Sequence, residues 1–191
     1  MTELGTAHRL PKVLIVDDRP ENLLALEAIL QGMPVQTVGV SSGEAALKQL
    51  LVDEFALILM DAQMPDMDGF DTARRIKQRE RTRYVPIVFL TAVDYNAHLA
   101  LRGYAAGAVD YLSKPIDPWV LRAKVSVLVE LWEKNRRVRT QAALTQQYER
   151  RLAHAADRVD RALALLKAVG DDPAAEREIR SLLTELRDEL R

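Results

Sequence analysis

The chain has 191 residues, 48% of them hydrophobic and 29% charged, with a formal net charge of -1, which fits one ordinary globular domain plus an additional segment. So even a charge argues against a basic nucleic-acid footprint, and the lack of cysteine excludes disulfides, thiol catalysis and cysteine-based metal clusters. No apolar run approaches the about 18–20 residues needed to cross a bilayer, and the opening MTELGTAHRLPK has no apolar signal-peptide core, so a cytoplasmic protein with no membrane partner is expected.

In chain order, short apolar runs occur at Val13–Val16, Val35–Val40, Phe55–Met60 and Ile87–Leu90, and a weaker one (Ala108, Val109, Tyr111, Leu112) precedes Lys114. Runs this short, rich in Val, Ile and Leu and bounded by Pro, Gly or Asp, predict strands buried on both faces. Segments of helical spacing separate them: Leu23, Leu26, Ile29 and Leu30; then Ala45, Ala46, Leu47, Leu50 and Leu51; then Ala73 and Ile76; then Leu99, Leu101 and Ala105. Five strands alternating with helices predict βαβ units and a parallel α/β sheet. Asp68 is expected to cap the third helix, and Gly69 to permit a tight turn before it.

Beyond Pro118 the pattern changes. From Trp119 to about Val169 there is neither proline nor glycine, which predicts one long helix. Gly170-Asp171-Asp172-Pro173 then supplies a stop and a restart, with a second helix from about Ala174 to Leu190. Tyr148, Leu152, Ala155, Val159, Ala162, Leu166 and Val169 are spaced 4, 3, 4, 3, 4, 3, a heptad seam. Ile179, Leu182, Leu186 and Leu190 stripe the second helix, and residues 133–147 are polar on nearly every face.

In parallel α/β sheets, ligands bind at the carboxyl ends of the strands. Those ends carry Asp17-Asp18, Asp61, Thr91-Ala92 and Ser113-Lys114-Pro115. Each alone has a structural explanation: Asp18 before Pro20 as a helix cap, Asp61 as a strand end, Lys114-Pro115 as a turn. Together they bring three carboxylates, the Thr91 hydroxyl and an ammonium to one edge of the sheet. Adjacent carboxylates repel, and a hard divalent cation resolves this. Mg2+ takes one or two carboxylates, water and phosphate oxygens. A phosphoryl group there would meet the cation, Lys114 and the Thr91 hydroxyl, which is the equipment of phosphoryl transfer with Asp61 as nucleophile.

The segments VLIVDDRPEN, LILMDAQMPDMDGFD, PIVFLTA and GYAAGAVDYLSKPID resemble, in order and spacing, the receiver domain of bacterial two-component response regulators. The resemblance covers about residues 10–130. It implies a flavodoxin-like five-stranded parallel sheet of order 2-1-3-4-5, followed here by a long helix and a helical hairpin or coiled coil over residues 131–191. It also implies that Asp61 accepts a phosphoryl group from a partner histidine kinase. Asp18, Asp61 and the Gln63 backbone carbonyl would hold Mg2+, with Asp17 acting through water. Thr91 and Lys114 would bind the phosphoryl group, Tyr111 would turn inward as the switch residue, and the Lys114-Pro115 bond would be cis. VDDRPEN and GYAAGAVDYL look most like receivers associated with hybrid sensor kinases.

No separate substrate is expected, so the protein is not a turnover enzyme beyond its own phosphorylation and dephosphorylation. For the C-terminal third, the sequence is compatible with three outputs. One is homodimerisation through a coiled coil, against an intramolecular hairpin. Another is docking of a partner kinase or of an unknown downstream effector protein. The third is a second relay site at His154 in RRLAHAADR, against the ordinary surface histidine. A transcriptional regulator with an unrecognised DNA-binding region is the alternative overall. Binding of DNA is disfavoured because no basic recognition helix follows a tight turn.

Overall fold

A computed structural model of the chain describes residues 10–91, 107–168 and 173–189. The elements run β1 (Lys12–Val16), α1 (Pro20–Leu30), β2 (Gln36–Val40), α2 (Gly43–Val52), β3 (Leu57–Asp61), α3 (Gly69–Gln78), β4 (Ile87–Thr91), β5 (Asp110–Ser113), α4 (Pro118–Ala168) and α5 (Pro173–Glu189). The helix expected around Leu99, Leu101 and Ala105 lies outside the described residues, as do Ala92, Val169, the Gly170–Asp172 stop and Leu190. Two compact units divide the chain, Met1–Lys134 and Asn135–Arg191.

In the first unit the five strands form one sheet of order β2-β1-β3-β4-β5, and all four pairings are parallel. Alternation along each strand divides its side chains between two faces. Leu14, Val16, Ile58, Met60, Ile87 and Phe89 meet Ala46, Leu50, Ala73 and Ile76 of α2 and α3. Val13, Ile15, Leu57, Leu59, Val88 and Leu90 meet Leu26 and Leu30 of α1 and Leu121, Val125 and Val129 of α4. With both faces covered, the central strands need no polar alternation, which is why they read as continuous apolar runs. Burying each such side chain contributes about 1.5–3 kcal/mol.

Two expectations about burial are corrected. The Val35–Val40 run forms β2, but β2 lies at the sheet edge, and its Gln36 and Gly39 are exposed. Leu51, placed on the α2 stripe by spacing, is 60% exposed. It follows Leu50 by about 100° around the helix, enough to turn it from the sheet in the last turn.

Local chemistry sets the helix ends. Ser42 accepts the Ala45 N–H at 3.2 Å, and Asp68 accepts the Asp71 N–H at 2.7 Å, as the sequence led one to expect for Asp68. Asp117 accepts the N–H groups of Trp119 and Val120 at 2.8 and 3.2 Å to begin α4. The last turn of α1 has no basic residue of its own. Arg122 of α4 supplies one, donating to the Ile29 and Gln31 carbonyls at 2.6 and 3.0 Å and so satisfying helix-end acceptors. Lys124 pairs with Asp110 of β5.

In the second unit, every side chain from Asn135 to His154 is exposed, as the polar 133–147 stretch predicts. Further on, Ala162 and Ile179 are buried, and Arg158–Glu185 and Arg161–Glu178 form ion pairs at 3.4 Å. Those pairings run antiparallel, so α5 folds back on the end of α4 as a hairpin. The heptad seam is thereby divided: Ala162 is covered, whereas Tyr148 and Leu152 are 62% and 64% exposed. The side chains of Leu166 and Leu186 lie outside the described residues.

Candidate functional site

The strand ends deliver Asp17, Asp61, Thr91 and Lys114 to one edge of the sheet. Asp61 is the last residue of β3 and Thr91 the last of β4. Lys114 follows β5 directly and is held to its neighbour by a 2.7 Å bond from its N–H to the Thr91 carbonyl. The Lys114–Pro115 bond is cis. Asp17 follows β1, its N–H bonded to the Val40 carbonyl at 3.2 Å.

The ammonium of Lys114 lies 2.9 Å from Asp17 Oδ2 and 3.0 Å from Asp61 Oδ2. Carboxylate oxygens of Asp17, Asp18 and Asp61 lie within 4.8 Å of one another. Asp17 is fully buried, Asp61 nearly so and Asp18 half-buried. Burial pushes the Asp61 carboxyl above its ordinary range, and the Lys114 bond and charge offset only part of that. Burial works against the Lys114 ammonium as well, but hydrogen bonds and charge from Asp17 and Asp61 more than compensate, and its pKa is raised. One cation thus holds carboxylates that would otherwise repel. Hard oxygen donors this close suit a small divalent cation, which prefers carboxylate and water ligands.

Other expected residues take clear places. Asp18 is not a helix cap: the cap position of α1 is Arg19, with Pro20 starting the helix. Gln63 is exposed in the loop after β3, its N–H 3.4 Å from Asp61 Oδ1. Tyr111 is half-buried and stacks on Phe89 with ring centroids 5.7 Å apart, and Phe89 packs on Phe70 at 4.7 Å. A cavity of about 430 Å³ lined by Gln63, Met64, Pro65, Phe70 and Thr91 opens beside the Asp61 strand end. His154 is exposed on α4.

Gly69 serves a purpose different from the expected turn. A Cβ there would stand 2.1 Å from the Asp61 carbonyl oxygen, so only glycine lets α3 start against the end of β3. Its N–H bonds the Ala62 carbonyl at 3.1 Å. The glycine therefore sets the backbone that carries Asp61.

Sequence reasoning missed Asn22. Its side-chain amide donates to both oxygens of Asp17, at 2.9 and 3.0 Å. The residue stands in the quoted VDDRPEN segment, but a five-residue spacing across a strand-to-helix turn has no periodic signature. The only available signal was a short amide donor in the first turn after the acidic pair.

Residues 13–126 match the model of the response regulator receiver domain. Over 113 residues, 57% of this chain, the sequence is 43% identical to the sensor histidine kinase GacS of Pseudomonas protegens, of which the match spans 12%. Over 117 residues, 61% of this chain, it is 38% identical to the response regulator PleD of Caulobacter vibrioides, of which the match spans 26%. The chain therefore spans only a minor part of these relatives. The signal receiver domain of a signal transduction histidine kinase from Syntrophus aciditrophicus superposes with a TM-score of 0.58 at 32% identity, covering 63% of this chain and 90% of that one.

Proposed function

The chain belongs to the response regulator receiver domain family through residues 13–126, and from that premise we propose that it is a two-component signalling switch phosphorylated on Asp61. The observation that carries this reading is the position of Asp61: it ends a buried strand, 3.0 Å from Lys114 and within the three-carboxylate cluster. A carboxylate oxygen of Asp61 attacks the phosphorus of a phosphohistidine on a histidine kinase. The phosphorus–nitrogen bond breaks, the imidazole leaves with the electron pair, and an acyl phosphate remains. Mg2+ bound by Asp18, Asp61 and the Gln63 carbonyl, with Asp17 through water, would supply charge neutralisation. Lys114 and the Thr91 hydroxyl receive phosphoryl oxygens, which draws Lys114 from its present partners. Tyr111, stacked on Phe89, responds as Thr91 shifts.

The receiver is assigned to residues 10–130 and the output to residues 131–191. That output is protein–protein contact, with homodimerisation through the exposed part of the α4 seam. The receiver performs no turnover beyond its own phosphorylation and dephosphorylation.

The test is incubation of the full chain with Mg2+ and acetyl phosphate, followed by measurement of base-labile phosphate. Asp61→Asn is expected to abolish incorporation. Asp53→Asn, which removes a carboxylate paired with Lys12 at 2.7 Å, is expected to retain it. Equal loss in both variants would remove Asp61 from its role. Sedimentation with and without a phosphoryl mimic tests association, and a monomer in both states rules out the dimer. A salt-dependent shift on generic DNA would favour the transcriptional alternative.

A further inference from the structure

We infer that Asn22 is a positioning residue that keeps the Asp17 carboxylate oriented toward the metal site, both in the resting protein and when Lys114 leaves Asp17 for the phosphoryl group. The inference rests on the proposed metal-assisted phosphorylation and adds to it a residue with no place in the donor set.

Asp17 is fully buried, so its charge depends on the donors around it. Oδ1 accepts the Arg19 N–H at 3.0 Å and the Asn22 amide at 2.9 Å. Oδ2 accepts the Asn22 amide at 3.0 Å and the Lys114 ammonium at 2.9 Å. Lys114 also bonds Asp61. If Lys114 turns to a phosphoryl oxygen, Oδ2 loses the ammonium, and a fully buried oxygen without a donor is costly. Asn22 spans both oxygens, so Oδ2 keeps one donor and the carboxylate keeps its plane. Without Asn22, Lys114 is the one donor to Oδ2 among the described contacts, and the ammonium would have to choose between holding Asp17 and meeting the phosphoryl group.

The residue type and its place both matter. An amide donates without adding charge, so the cluster keeps its pull on a divalent cation. Lysine or arginine at this position would neutralise Asp17 and repel the metal. Asn22 stands in the first turn of α1, whose start is secured by backbone bonds from Asn22 and Leu23 to the Arg19 carbonyl at 3.0 and 3.2 Å. A donor on a rigid helical turn orients its acceptor more closely than one on a loop.

Calorimetric titration of the full chain with MgCl2 tests the proposal. Asn22→Ala and Asn22→Leu are expected to weaken Mg2+ binding about tenfold, the usual scale for losing a partner that orients a metal ligand. A role confined to folding would lower thermal stability equally in any background. A positioning role acts through Asp17, so Asn22→Ala should change Mg2+ affinity less than about twofold when Asp17 is already Asn. Asn22→Ser keeps a short polar donor on the same turn. It is expected to bind Mg2+ with intermediate affinity, and it decides the matter should the apolar variants unfold. Wild-type affinity in the Asn22 variants, or a loss of the same size in the Asp17→Asn background, would overturn the role of Asn22 alone. Failure of the wild-type chain to bind Mg2+ at millimolar concentration would instead overturn the metal site on which the proposed function depends.

Discussion

The sheet unit and the helical unit stabilise themselves in opposite ways. In the first, β3 and β4 are buried at every position, because helices cover both faces of the sheet. In the second, α4 is exposed at every position from Asn135 to His154, and burial resumes only where α5 folds back beside Ala162. Non-local packing sustains the one. Helical propensity and local pairing sustain much of the other, and propensity alone is marginal. Chemistry has gathered where packing is dense, since only a rigid, desolvated framework can hold several carboxylates and an ammonium at bonding distance.

The contrast can be broken by mutation. Phe89 is fully buried between Phe70 and Tyr111, and Phe89→Ala is expected to cost about 3–5 kcal/mol in urea denaturation. Val138 is 67% exposed, and Val138→Ala should change stability by less than about 0.5 kcal/mol. A comparable loss from both would mean that α4 is packed in solution even ahead of its heptad seam, which begins at Tyr148.

A second effect separates buried from exposed ion pairs. Lys114→Ala strands two buried carboxylates and is expected to cost about 3 kcal/mol, part of it restored by millimolar Mg2+. Thermal unfolding with and without the ion measures both.

The pH dependence of Asp61 sharpens the point further. Its folded pKa is raised above 3.8 by burial, so its contribution to stability is fully present below that value and is lost as pH rises through the raised one. Without metal, Asp61→Asn should therefore melt above the wild type at neutral pH, and the gap should close as pH falls toward 4. A constant gap across that window would count against a desolvated carboxylate. The smallest effect belongs to the hairpin, where Arg161→Ala removes an exposed pair with Glu178 and should cost less than about 0.5 kcal/mol.

Much of the site was legible because strand ends are. Asp17, Asp61, Thr91 and Lys114 each follow or end an apolar run, and a parallel sheet places such ends along one edge whatever the helices between them do. Asn22 was not legible, since its contact with Asp17 depends on how α1 leaves the strand. Gly69 was legible as a glycine but not for its reason, which is the proximity of the Asp61 carbonyl. The α4 seam was readable as a heptad. The division at Ala162 was not, because periodicity says that a face seeks a partner without saying which partner covers it.

By itself, then, the sequence determined the alternation of strands and helices, the parallel sheet, the long helix after Pro118 and the residues at the strand ends, since all of these follow from hydrophobic period and from backbone limits on proline and glycine. Only the tertiary structure decided that Asn22 spans both oxygens of Asp17 while Lys114 meets one, and where α5 closes over α4. Those outcomes depend on distances between residues far apart or out of phase in the chain, and no local pattern records them.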